Sequence, residues 1–176
     1  MSPSIIQQSF DKLYGVPSWH VQQGFGSFLT FDFGTPRQEI GSVINPEPNR
    51  PGSRLTRMVT IRGDWHLWIF CCGWRIIQDG SVLATFESSR ESISAACAAL
   101  NGQALSEVGF QSERGECVFR FDLGGMLSTA PYDEDLLEQW ILYCPDSYVL
   151  TYRSDGAFSY GRSDTIHEEF SKFDDA

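Results

Sequence analysis

The chain has no apolar run able to span a bilayer. Its longest, Leu67 to Gly73, falls far short of the roughly 20 residues that a membrane helix needs. It also lacks an N-terminal basic stretch followed by an apolar one. Together these lacks predict a soluble, unexported, cytoplasmic protein with no membrane partner. Basic residues are scarce, 13 against 23 acidic ones, for a formal charge of −10. That balance repels a phosphate backbone and so argues against nucleic acid. It suits a basic protein partner instead. No CxxC spacing occurs, and the five cysteines (Cys71, Cys72, Cys97, Cys117, Cys144) are odd in number. They read as buried thiols in a reducing compartment rather than as a disulfide framework.

Motifs that usually carry chemistry are missing too. There is no GxSxG, no GxxxxGK[ST], no GxGxxG between a strand and a helix, no HExxH and no EF-hand loop. The motifs therefore assign no catalytic residue, no metal and no cofactor. Three histidines, His20, His66 and His167, show no ligand spacing. His66, beside Trp65, reads as a hydrogen-bonded structural histidine, and His167-Glu168-Glu169 as part of a solvated tail.

Most of the pattern that is present lies between Gly63 and Glu87. Residues 65 to 72 are apolar at both alternating sets, as expected of a central strand covered on both faces. Trp74 to Gln78 and Ser81 to Glu87 flank Asp79-Gly80, a dipeptide suited to a type I′ hairpin turn. That turn pairs Gln78 with Ser81, Ile77 with Val82 and Ile76 with Leu83. The same vocabulary recurs later in the same order. Phe31-Asp32-Phe33-Gly34 returns as Phe121-Asp122-Leu123-Gly124, and Trp65-x-Leu67 as Trp140-x-Leu142. Trp74 returns as Tyr148 and Asp79-Gly80 as Asp155-Gly156. This order predicts an internal duplication, with segments 16–87 and 105–162 forming similar halves of one domain over 1–176. The expected fold class is α+β: mainly antiparallel sheet or a partly open barrel, with a connecting helix at 89–101 and short terminal helices.

The remaining elements follow from local signals. Ser4 is placed to cap a helix carrying Ile6, Phe10 and Leu13, ended by Gly15. Trp19 to Gln23 and Ser27 to Phe33 read as a hairpin, and Thr35 to Ser53, with its prolines, as a surface loop. Leu55 to Arg62 alternates as a strand. Ser88-x-x-Glu91 has the form of a capping box for the helix that buries Ile93, Ala96, Cys97 and Leu100. Strands are expected at Leu105 to Gln111, Cys117 to Leu123, Gln139 to Cys144, Tyr148 to Ser154 and Phe158 to Arg162. Gly124-Gly125 reads as a turn or bulge, Pro131 to Glu138 as a short helical turn, and Ile166 to Phe173 as a short C-terminal helix.

The chain holds 5 Trp, 13 Phe and 6 Tyr, more than a minimal core requires. The candidate binding residues are Trp65, Trp68, Trp74 and Trp140 as aromatic walls, with His66, Asp32 and Asp122 as polar groups; the two aspartates hold equivalent places in the repeat. A small, acidic, tryptophan-rich chain of β-hairpins without a catalytic signature resembles toxin-neutralising immunity proteins. That resemblance implies a non-enzymatic binding protein for a protein partner. The rival expectation is a small-molecule carrier or enzyme with an aromatic-lined pocket between the two halves.

Overall fold

The computed structural model describes residues 5–165 and 169–172, and antiparallel strands dominate it. The chain runs α1 (Ile5–Asp11), β1 (Ser18–Gln23), β2 (Leu29–Phe33), β3 (Arg37–Ile44), β4 (Thr56–Arg62), β5 (Trp65–Ile69), β6 (Gly73–Gln78), β7 (Ser81–Thr85) and α2 (Arg90–Leu100). It continues through β8 (Leu105–Gln111), β9 (Glu116–Phe121), β10 (Gly125–Ala130), β11 (Glu138–Cys144), β12 (Tyr148–Arg153) and β13 (Phe158–Arg162). No described helix is long and apolar enough to cross a membrane.

One sheet has the order β1-β2-β5-β11-β12-β13, a second β7-β6-β10-β9-β8, and β3 and β4 form a ribbon of their own. The two larger sheets share one buried cluster. Phe31 stacks on Phe121 at 6.2 Å, and Trp140 meets Phe119 edge-on at 5.7 Å. Helix α1 sets Phe10 against both Phe119 and Trp140. Helix α2 buries the stripe Ile93, Ala96, Cys97 and Leu100, and its last carbonyl, on Leu100, accepts from the Ser18 hydroxyl. Neither sheet closes on itself, so the fold is not a barrel. The outer edge of β1 bonds instead to residues 102 and 103, and Phe158 of β13 bridges Ser171, which covers backbone groups that open edges would expose.

The alternation patterns predict most of these strands, and the departures have local causes. Within the stretch read as a loop, residues 37–44 form β3; every residue of it is exposed, so no buried face marks it in the sequence. Strand β10 hides behind Gly124-Gly125 because its inward positions are Gly125, Leu127 and Thr129, only one of them strongly apolar. Residues 131–137 form bends rather than a helical turn. Helix α2 is capped by Ser89, whose hydroxyl accepts from the Ser92 N–H, while Ser88 bonds back to the Thr85 N–H. Asp79 and Gly80 both have positive φ, as a type I′ turn requires, but a bulge pairs Ile76 with Ala84 instead of Leu83. The Leu67 to Gly73 run is broken at Cys71 (φ 45°), where the chain leaves one sheet for the other; Cys71 is exposed and Cys72 buried. Ser4 and residues 166–168 and 173–176 lie outside the described residues, and of the expected C-terminal helix the described residues 169–172 are not helical.

The duplication is not shown. Asp32 lies in the six-stranded sheet whereas Phe121, of the matching motif, lies in the five-stranded one; Trp74 and Tyr148 are likewise split between sheets. Trp65 and Trp140 sit on neighbouring strands of a single sheet. Asp155, unlike Asp79, does not have positive φ. Aromatic strand residues and Asp-Gly turns suit any antiparallel hairpin, so their recurrence does not require a repeated topology.

Trp140 is fully buried between Phe10, Phe119 and Tyr152. Trp140→Ala is expected to cost about 3–5 kcal/mol, from lost transfer energy and the cavity left behind. Urea denaturation followed by circular dichroism checks this.

Candidate binding face

Leu29, Phe31 and Phe33 point into the core, so Thr30 and Asp32 project from the outer face of the six-stranded sheet. Asp32 is nevertheless 0% exposed. Its cross-strand neighbour on β5 is His66, whose own neighbour on β11 is Tyr143; one row along, Thr30 faces Trp68. On the other side the β1–β2 register slips between Trp19 and Gln22, and His20 takes a left-handed backbone (φ 52°) within that bulge. The bulge brings a third group to the carboxylate. His20 Nδ1 lies 3.0 Å from Asp32 Oδ2, His66 Nδ1 lies 2.9 Å from Oδ1, and the Gly63 N–H donates to Oδ1 at 2.9 Å.

Burial pushes the Asp32 carboxyl up, but the bonds from His66, Gly63 and His20 outweigh it and hold the group below the ordinary aspartate range. An ionised carboxylate only accepts, so each imidazole must donate its Nδ1–H. In a neutral ring the lone pair is then on Nε2. His66 is 12% exposed and turns its far edge to a cleft, while His20 is 41% exposed.

The cleft has a volume of about 860 Å³ and is lined in part by Phe28, Arg62, His66, Trp68, Tyr143 and Tyr148. Trp68 stacks on Phe70 at 4.7 Å, with Phe28 edge-on to both. The His66 and Tyr143 rings are 6.0 Å apart. Burial and the charge of Glu138 push the Tyr143 phenol up, and the nearby Arg62 guanidinium opposes that shift. Arg62 makes no ion pair among the described residues, whereas Arg37, also on the rim, lies 3.7 Å from Glu39.

The β3–β4 ribbon borders this cleft and is rooted in the Asp32 cluster. Gly63 follows β4 directly, and a Cβ there would run into the Phe33 backbone. Only glycine permits the approach that delivers its N–H to Asp32. Asp64 accepts from the Thr35 N–H at 2.8 Å, and the Trp19 indole donates to the Gly34 carbonyl at 3.0 Å. Beyond these anchors the ribbon pairs with no other strand, and Ile40, Val43, Ile44, Met58, Val59 and Ile61 are all exposed.

Of the residues proposed from sequence, Asp32, His66 and Trp68 come together. Trp65 is half-buried against the core, Trp74 and Trp140 are buried, and Trp74 donates to the Ser27 carbonyl. Asp122 is exposed, in the turn after β9 of the other sheet, and accepts from the Ala104 N–H; it does not pair with Asp32. His20, Gly63, Arg62, Tyr143 and Tyr148 were not among the candidates, because their convergence depends on strand register and a bulge, neither of which is written locally. Every cysteine is pushed up by burial, Cys97 and Cys144 to about 11, so none is poised as a thiolate. The described residues hold no group of three or more His, Cys, Asp or Glu side chains placed to take a metal. No family model, curated protein or solved structure matches the chain.

Replacing Asp32 with Ala orphans three donors at a buried position and is expected to destabilise the fold by roughly 2–4 kcal/mol. Because the folded pKa is depressed, the stabilisation from Asp32 is complete above the ordinary aspartate value of about 3.9 and is lost as pH falls through the lower folded value. Denaturation midpoints of the wild type should therefore drop below about pH 4, with a smaller drop in Asp32→Asn.

Proposed function

We propose that this is a binding protein that engages a protein partner through the β3–β4 ribbon and the sheet face beside it. The observation that carries this reading is the ribbon itself. A two-stranded hairpin is marginal in water unless an apolar face is covered, and this one pairs with no other described strand. Register pairs Ile40 with Val59, Val43 with Arg57 and Gln38 with Ile61. Ile40, Val43, Val59 and Ile61 therefore share one ribbon face, all exposed. Burying a side chain of this kind contributes roughly 1.5–3 kcal/mol, so covering four offsets much of the cost of association. A contiguous exposed apolar surface of this sort marks an interaction site.

Charge refines the partner. Residues 37–62 contain five of the chain's 13 basic residues (Arg37, Arg50, Arg54, Arg57, Arg62) and only two of its 23 acidic ones (Glu39, Glu47). The negative charge thus resides on the body, and the ribbon is locally positive. The surface it contacts is apolar and flanked by acidic groups, the opposite of what the whole-chain charge suggests for a partner. The five free cysteines support a reducing, cytoplasmic setting.

The wild type, immobilised in native lysate, is expected to capture a specific protein at low ionic strength and less of it at high. The double variant Ile40→Glu/Val59→Lys, a complementary cross-strand pair, should bind at least tenfold more weakly with its melting temperature nearly unchanged, since both side chains are already exposed. Capture of nothing specific at either ionic strength, or capture indifferent to the variant, would refute the reading.

A further inference from the structure

We infer that the cleft beside His66 is a site for a small aromatic acid that also carries a hydroxyl or amino donor. This rests on the lining of the cleft, which shares Arg62 and Arg37 with the ribbon, and does not require that the ribbon engage a protein. Three features set the ligand class. The first is Arg62 at the end of β4, half-buried, on the cleft wall and without an ion pair among the described residues. A guanidinium presents a planar fork that matches a carboxylate. Tyr143 lines the same cleft, so its phenol is a second donor available to that anion.

The second feature is His66. Because Asp32 holds its Nδ1–H, the neutral ring offers the cleft an Nε2 lone pair, which a donor on the ligand complements. The third is the aromatic wall of Trp68 and Phe28, edge-on at 5.9 Å, which suits a flat apolar body. A volume of about 860 Å³ accommodates two fused rings with room for substituents. Arg37 is engaged with Glu39, which leaves one uncommitted cation for one negative charge and favours a carboxylate over a phosphate dianion.

The test uses 6-hydroxy-2-naphthoate and 3-hydroxy-2-naphthoate as probes, with 2-naphthoate (no donor), 2-naphthol (no carboxylate) and 2-naphthyl phosphate as comparators. Calorimetry should show saturable binding of at least one hydroxynaphthoate, about tenfold tighter than either 2-naphthoate or 2-naphthol. Arg62→Gln should erase the advantage over 2-naphthol, and His66→Phe the advantage over 2-naphthoate. Since His66→Phe also disturbs Asp32, a second readout uses the wild type: the probe should shift the His66 Nε2 ¹⁵N resonance and leave that of His20 in place. Absence of saturable binding by both hydroxynaphthoates, equal affinity for all probes, tighter binding of 2-naphthyl phosphate, or an unmoved His66 resonance would each overturn the assignment.

Discussion

The outer half of the six-stranded sheet depends on one buried negative charge. Asp32 projects from the solvent side of β2 yet is sealed from water, and an ion so placed is tolerable only if its lone pairs are taken. They are taken by groups from three separate segments: the β1 bulge through His20, strand β5 through His66, and the foot of the ribbon through Gly63. The carboxylate therefore fixes more than its own rotamer. It sets the tautomer of two imidazoles, holds a bulge with a left-handed histidine, and pins the end of β4 against β2.

This arrangement joins stability to the shape of the cleft. The imidazole that donates to the buried carboxylate is the same ring that borders the cleft, so its orientation is fixed by the fold itself. Preorganisation of that kind lowers the ordering cost of binding. Trp68 and Phe28 are held in a comparable way by ring contacts with Phe70. The core underneath contributes rigidity rather than chemistry, since its largest rings, Trp74, Trp140 and Tyr152, are buried.

Local signals made part of this readable. The type I′ turn at Asp79-Gly80 followed from the need for positive φ, and the buried stripe of α2 from its spacing. Strands with one apolar face stood out for the same reason. What escaped was of two kinds. Elements with no inward apolar alternation left no trace: β3 is exposed throughout, and β10 turns a glycine and a threonine inward. Long-range pairing was the other. Asp32 and His66 both stand out in the sequence, but the recurrence of motifs relates Asp32 to Asp122, whereas register sets it opposite His66. A residue's cross-strand partner depends on which strands become neighbours, and aromatic composition does not encode that. His20 was harder still, because a bulge turned it towards Asp32.

The feet of the ribbon are fastened by bonds that involve none of the residues beyond them. Gly63 is tied to Asp32, Thr35 to Asp64 and Gly34 to Trp19, while the proline-bearing segment at the tip bonds within itself through Asn45, Glu47, Arg50 and Ser53. Closing a longer loop costs only about 0.6 kcal/mol per doubling of its length. The tip can therefore lengthen, shorten or change its side chains without strain reaching the sheet. In mechanical terms the body is a socket and the ribbon an insert, so substitutions at the tip are absorbed there while the anchored base keeps its geometry.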